Sequence, residues 1–304
     1  MKKQLTGITF LAVAVLIWGS TFVAQSVGMD SVGPFTFQAV RCALAVLFLL
    51  PVIALFEIRD IKNYFRKWLD KKLWLAGILC GLALFIAASL QQVSLVDTDA
   101  GKAGFLTALY VILVPLFSIF VGKLPRFNLM IAVGVATVGV YLLCLSDGIG
   151  SVYLGDLFLL CCAVAFTLHI LTVNRFVSDV DGILLSALQF LTCGILSAIL
   201  SLIFEDATWS HALAAAPQIL FLGIASSGIA YTLQIIGQKF AEPTVASITM
   251  SLESVFAALG GWLIAGNALS GRELFGCALV FVAIVLAQIP FSWKNLLPNK
   301  KRRS

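Results

Sequence analysis

Glu253 lies near the middle of an apolar run, Pro243 to Asn267, made up to its closing asparagine of small, hydroxyl-bearing and hydrophobic residues otherwise. About twenty such residues suffice to cross a bilayer as a helix. A charge at that depth costs roughly 2.5–3.5 kcal/mol on insertion scales, so it turns toward protein or toward a watery path. Its neighbours are spaced for helix faces: Ser247, Ser251 and Ser254 recur at i, i+4 and i+7, and Thr249 and Glu253 share the adjoining face. Ala257, Gly260 and Gly261 then let another helix approach closely. Two readings stand side by side: a carboxyl hydrogen-bonded between helices, and a substrate or proton site. Arg41 and His169 are also ionisable groups well inside apolar runs. Arg41 sits roughly 10 Å from the nearer membrane face, a few Å in depth from Glu253. It could pair with Glu253, snorkel outward or bind main-chain carbonyls. The imidazole of His169 titrates near neutrality, which suits a proton carrier as well as a neutral interhelical bond.

The elements that must position these groups follow from composition. The chain has 304 residues, 61% of them hydrophobic and only 12% charged, where soluble domains carry about 25% charged residues; mean hydropathy is +1.04. This describes an all-α membrane protein. Ten apolar segments can be marked: Gly7–Val27, Pro34–Phe56, Leu73–Leu95, Lys102–Val121, Phe127–Leu145, Leu154–Val173, Gly182–Phe204, Pro217–Gln238, Pro243–Ala265 and Glu273–Pro290. Gly7–Val27 is read as a retained first span and not as a cleavable leader. With the N-terminus placed in the cytoplasm, nearly all of the 20 Lys and Arg residues fall inside, among them Arg59, Lys62, Lys123 and the tail Lys300 to Arg303. Only Lys102 and Arg272 fall outside, so both termini are expected to be cytoplasmic. The basic tail reads as a topology signal with some affinity for anionic lipid, and not as a nucleic-acid patch.

A repeat underlies the segments. At an offset of 148, Gly7, Phe10 and Leu11 match Gly155, Phe158 and Leu159; at an offset of 146, Gly77, Ile78, Gln92 and Thr98 match Gly223, Ile224, Gln238 and Thr244. Five spans per half is an odd number, so the second half enters the membrane from the opposite side. The expectation is ten helices in two inverted five-helix repeats, residues 1–145 and 154–290, with residues 291–304 as the tail. Inverted repeats are the architecture of alternating-access transporters, whose site lies near the midplane. Under that symmetry Trp18, Thr21 and Gln25 share a face of span one, and Phe166, His169 and Val173 hold the equivalent places in span six. Phe85, Ser89 and Gln92 share a face of span three, Tyr231, Gln234 and Gln238 one of span eight, and span four adds Thr107 and Tyr110. These faces are expected to converge on one cavity, although any single aromatic could equally be core packing.

Other chemistries lack their residues. There is no GxxxxGK[ST], GxSxG or HExxH, and no carboxylate cluster suited to a metal. The seven cysteines, Cys42, Cys80, Cys144, Cys161, Cys162, Cys193 and Cys277, form no CxxC pair and read as small core residues. An intramembrane lipid-modifying enzyme would need clustered catalytic groups, and loop His211 leaves His169 with no second histidine in the membrane. Neither an enzyme nor a bound cofactor or metal is expected.

Taken in order along the chain, Trp18-Gly19-Ser20-Thr21-Phe22, Arg41, Ala100-Gly101-Lys102-Ala103-Gly104-Phe105, Pro115, Gly139-Val140-Tyr141-Leu142-Leu143, Leu252-Glu253-Ser254-Val255-Phe256 and Gly266-Asn267 resemble the drug/metabolite transporter superfamily, EamA-type ten-helix branch. Ser254 stands where that family usually has proline, which leaves span nine expected to be straighter, and Asn267 stands where it often has glutamate. The resemblance implies that spans one to four and six to nine surround the substrate path, with five and ten peripheral. It implies a secondary transporter in the bacterial cytoplasmic (inner) membrane that exports a small metabolite such as an amino acid or an aromatic compound. Substrate contacts are expected from Trp18, Thr21, Phe85, Gln92, Tyr110, His169, Tyr231, Gln234 and Glu253, with Arg41 as a structural charge. Efflux of lipophilic cations, with Glu253 as counter-charge and aromatics around it, is the alternative. Protons as coupling ion and the oligomeric state stay open.

Overall fold

Long apolar runs have no water to bond their peptide groups inside a bilayer, so each must satisfy them within a helix. The computed structural model describes residues 2–21, 24–25, 28, 32–57, 66–95, 100–120, 122, 125–144, 153–206, 213, 215–265 and 270–289, and no strand occurs among them. The readings that rest on Phe22, Arg59, Lys62, Thr98, Lys123, His211, Gly266, Asn267 and the tail fall outside the described residues. In chain order the helices are α1 (Lys2–Trp18), α2 (Pro34–Glu57), α3 (Lys71–Ser94), α4 (Ala100–Ala108), α5 (Tyr110–Phe120), α6 (Phe127–Cys144), α7 (Leu154–Phe176) and α8 (Gly182–Phe204). They continue with α9 (Ala216–Phe221), a π-helical segment (Leu222–Ala230), α10 (Tyr231–Gln238), α11 (Pro243–Met250), α12 (Leu252–Ala265) and α13 (Gly271–Gln288). Among the described residues, six stretches are long and apolar enough to cross a membrane: Pro34–Phe56, Lys71–Ser94, Ala103–Phe120, Leu154–Phe176, Gly182–Phe204 and Ala216–Gln238. Shorter apolar helices cover Lys3–Trp18, Phe127–Leu143 and Pro243–Leu259.

Helix starts follow local chemistry. Asp70 caps α3 by accepting from Lys72 N, and Asp181 caps α8 by accepting from Ile183 N and Leu184 N. Ser270 and Glu273 form a reciprocal capping box on α13, and Pro243 opens α11, where its missing N–H costs nothing. Between helices, glycine sets the closest approaches. A Cβ on Gly139 of α6 would come 2.9 Å from the carbonyl oxygen of Gly276 on α13, and one on Gly276 would come 2.7 Å from that of Gly139. Only backbone against backbone fits at that crossing.

The helices meet in a reciprocal pattern. α3, from the first half of the chain, packs on α7 and α8 of the second, while the stretch from α9 to α10 packs on α1 and α2. The end of the bundle where α1 begins, here the near end, carries Lys67–Asp181 (3.0 Å), Lys72–Asp179 (2.7 Å) and Arg126–Glu242 (3.3 Å). At the far end, the Glu205 carboxylate following α8 meets the first turn of α2.

Candidate functional site

A small cavity of about 50 Å³ lies inside the bundle, with a wall assembled from both halves of the chain. Trp18, Thr21 and Gln25 come from α1 and its continuation, Arg41 from α2, Gln91 from α3, and Thr107 and Tyr110 from α4 and α5. The second half supplies Phe166 and Ile170 from α7, Ser226 from the π segment, Tyr231 and Gln234 from α10, Met250 from α11 and Glu253 from α12.

Four of the contributing stretches are interrupted at the level of this wall. α1 stops at Trp18, where Thr21 Oγ1 donates to Trp18 O (2.8 Å) and Ser20 Oγ to Ile17 O (2.7 Å). α4 gives way to α5 at Leu109, next to Tyr110, and the π segment hands over to α10 at Tyr231. α11 and α12 part at Ser251, whose Oγ donates to Ile248 O (2.7 Å), while Ser247 and Thr249 bond back in the same way. Side chains that bond back onto their own turn compete with the main-chain ladder and bend it, and π turns recur at functional sites. Span nine, which has Ser254 in place of proline, is thus not one continuous helix. It breaks three residues earlier, where Ser254 N donates to Ser251 O at 3.3 Å.

The two charges face the same space without meeting. Arg41 is 4% exposed; its Nη1 donates to Gln25 Oε1 at 3.2 Å, and its Nε has no protein partner. The Glu253 side chain is half-buried at the wall and, among the described residues, makes no ion pair with Arg41. Trp18 and Tyr231 lie with ring centroids 4.7 Å apart, and Phe190 packs edge-on against Tyr231 at 5.4 Å, so the aromatic side of the wall is rigidly backed. Trp18 Nε1 and Gln234 Oε1 are buried without protein partners; a bound polar molecule would satisfy such groups.

Of the residues read from sequence, Trp18, Thr21, Arg41, Tyr110, Tyr231, Gln234 and Glu253 come together on this wall. Three stand elsewhere. His169 is fully buried behind the wall, its Nε2 3.0 Å from Gln189 Oε1 and its ring 6.2 Å from that of Tyr231. Phe85 is half-buried against the core, and Gln92 is buried with its amide nitrogen unpaired. The neighbouring Gln91 reaches the cavity instead and donates to Thr107 Oγ1 at 3.4 Å. The spacing from Phe85 through Ser89 to Gln92 marked one face of α3, but α3 turns much of its surface to α7 and α8, and one residue of offset, about 100° of rotation, selects Gln91. Ser226, Ile170 and Met250 were not singled out. The Ser226–Ser227–Gly228 run was the only available signal for Ser226.

The model of the EamA-like transporter family matches residues 5–145 and again 153–288. An uncharacterized transporter of Archaeoglobus fulgidus is 29% identical over 289 residues, covering 94% of this chain and 87% of the relative. The uncharacterized transporter YoaV of Bacillus subtilis is 23% identical over 312 residues, covering 97% and 100%. A protein of known crystal structure superposes with a TM-score of 0.75 at 23% identity over 94% of this chain and 96% of its own, a likeness of fold.

Proposed function

The chain belongs to the EamA-like transporter family, and from that premise we propose that it exports a small zwitterionic metabolite, an amino acid with an apolar or aromatic side chain, by alternating access. Its ten spans form two inverted five-helix repeats, residues 1–145 and 154–290, in the cytoplasmic membrane of a bacterium with both termini inside. Two observations support the repeat: the same family model matches twice in succession, and each half lays its third span on the first two spans of the other. An odd number of spans per half makes the repeat inverted, and interrupted helices around a central site are what such transporters use.

One observation carries the substrate class: Arg41 and Glu253 face one cavity unpaired to each other, beside the Trp18–Tyr231 pair. A guanidinium recognises a carboxylate and a carboxylate recognises an ammonium; between them the aromatic rings accept an apolar side chain. A lipophilic cation would use Glu253 and the rings but would be repelled by Arg41. Thr21, Tyr110 and Gln234 add hydrogen-bonding groups at the wall, while His169 acts from behind Tyr231. If Glu253 also exchanges a proton as the cavity opens to each side, protons are the coupling ion.

The test is a substrate panel in proteoliposomes, with and without a proton gradient. It compares an aromatic amino acid with its decarboxylated amine, its deaminated acid and a lipophilic cation. The amino acid is expected to be transported best, and Arg41→Gln is expected to shift preference toward the amine. Glu253→Gln is expected to abolish pH-driven transport while retaining exchange at equal pH. A wild-type protein that prefers the lipophilic cation, or an Arg41→Gln variant with unchanged selectivity, would overturn the assignment.

A further inference from the structure

Building on the alternating-access reading, we infer that Glu205 is a positioning residue for transport: its carboxylate is the releasable tie between the two halves that keeps the cavity shut at the far end. The first N–H groups of a helix have no partner inside it and are ordinarily capped by the residue just before. α2 is preceded by Gly33, which has no side chain, and begins with Pro34. Its cap comes instead from the end of α8: Glu205 Oε1 accepts from Phe35 N (2.8 Å), and Oε2 accepts from Thr36 N (2.8 Å) and Thr36 Oγ1 (2.6 Å). Thr36 Oγ1 also lies 2.6 Å from Ser201 Oγ on α8. A Cβ on Gly33 would come within 2.6 and 2.7 Å of the two carboxylate oxygens, so the glycine is what lets Glu205 in.

The matching positions of the second half are built differently. Ile183 and Leu184, at the repeat offset from Phe35 and Thr36, give their N–H groups to Asp181, a neighbour in their own chain segment. That cap travels with α8 if the halves part. The cap on α2 cannot: separation of α2 from α8 uncovers two N–H groups, a hydroxyl and a carboxylate at the end of the bundle, where water can take their place. At the near end the same halves are joined by Lys67–Asp181, Lys72–Asp179 and Arg126–Glu242. The cavity measures about 50 Å³, space for only a few waters, so a substrate of amino-acid size is admitted only when its walls move apart. Opening at the far end means releasing Glu205.

The experiment places Ser226→Cys in the cavity wall as reporter. It follows labelling by a membrane-impermeant maleimide added from either side of oriented proteoliposomes, with the Ser226 parent giving the background of the native thiols. Glu205→Ala is expected to raise labelling from the far side by about tenfold, the scale set by losing a charge-assisted cap, and to lower it from the near side. Lys67→Ala is expected to do the reverse. Thr36→Val, which removes only the hydroxyl's bonds, moves labelling in the same direction as Glu205→Ala and keeps the test open if Glu205→Ala does not fold. Labelling in folded Glu205→Ala and Thr36→Val that keeps the wild-type ratio between sides overturns the tie, provided the reporter alone is labelled from both sides. A reporter labelled from one side only, with or without substrate, instead overturns alternating access itself.

Discussion

Gly19 offers a quantitative test of how the site is held. It lies between Trp18 and Thr21 where α1 is interrupted, and its surface rests on α12 one turn beyond Glu253. A Cβ at this position would fall 2.6 Å from Phe256 Cβ, 2.7 Å from Phe256 C and 2.8 Å from Ala257 N. Two of these three atoms are main chain, so no rotamer change relieves the overlap, and α1 and α12 must move apart by on the order of 1 Å to restore ordinary contact. Overpacking of this kind costs typically about 1–3 kcal/mol. Here the displacement separates the wall formed by Trp18 and Thr21 from the one formed by Glu253. If most of that cost appears in the bound state, Gly19→Ala lowers kcat/KM for transport by roughly tenfold to a hundredfold. Gly7→Ala is the control: its Cβ would meet the carbonyl oxygen of Gly237 at 2.7 Å, a comparable overlap at the near end. Both variants should lose similar thermal stability in detergent, while transport in proteoliposomes should fall much further for Gly19→Ala. Equal losses of transport in the two variants, or wild-type kcat/KM in Gly19→Ala, would refute the idea that this crossing sets the geometry of the site.

The near-end ties predict a pH dependence. Hydrogen bonding and charge from Lys72, with a smaller contribution from Arg175, hold the Asp179 carboxyl below its ordinary value. A lowered folded-state value means that the stabilisation is present above the unfolded-state value near 3.8 and is lost as pH falls through the lower folded-state one. Asp179→Asn should therefore lower Tm at neutral pH and converge with the wild type in acid; a difference that is constant with pH would remove the carboxylate from the explanation. For topology, single cysteines at Asp206 and Ser146 should be labelled from outside and one at Asn63 from inside. Ser146 and Asn63 lie outside the described residues, and labelling from the wrong side at any of the three positions would refute the orientation.

Composition and apolar run length determined that this chain crosses a membrane in helices, because hydrocarbon permits little else. The order of its short motifs pointed to the EamA-like family. Several residues singled out by polarity, Glu253, Arg41, Thr21, Tyr110 and Gln234, do line one cavity, because a charge deep in an apolar run is expensive unless it faces protein or water and the polar groups near it share its helix faces. Rotation of a helix about its axis is not encoded so locally. Gln91 and Gln92 are equally polar neighbours, and only the packing of α3 on α7 and α8 decided that Gln91 reaches the cavity. For the same reason His169 stands behind Tyr231. The interruptions at Ser251 and Leu109 and through the π segment were not legible either, because no proline or glycine marks the first two and serine back-bonding shows its effect only when the turn forms. The Glu205 tie joins residues about 170 positions apart, a pairing that exists only once the tertiary structure has brought the end of α8 to the start of α2.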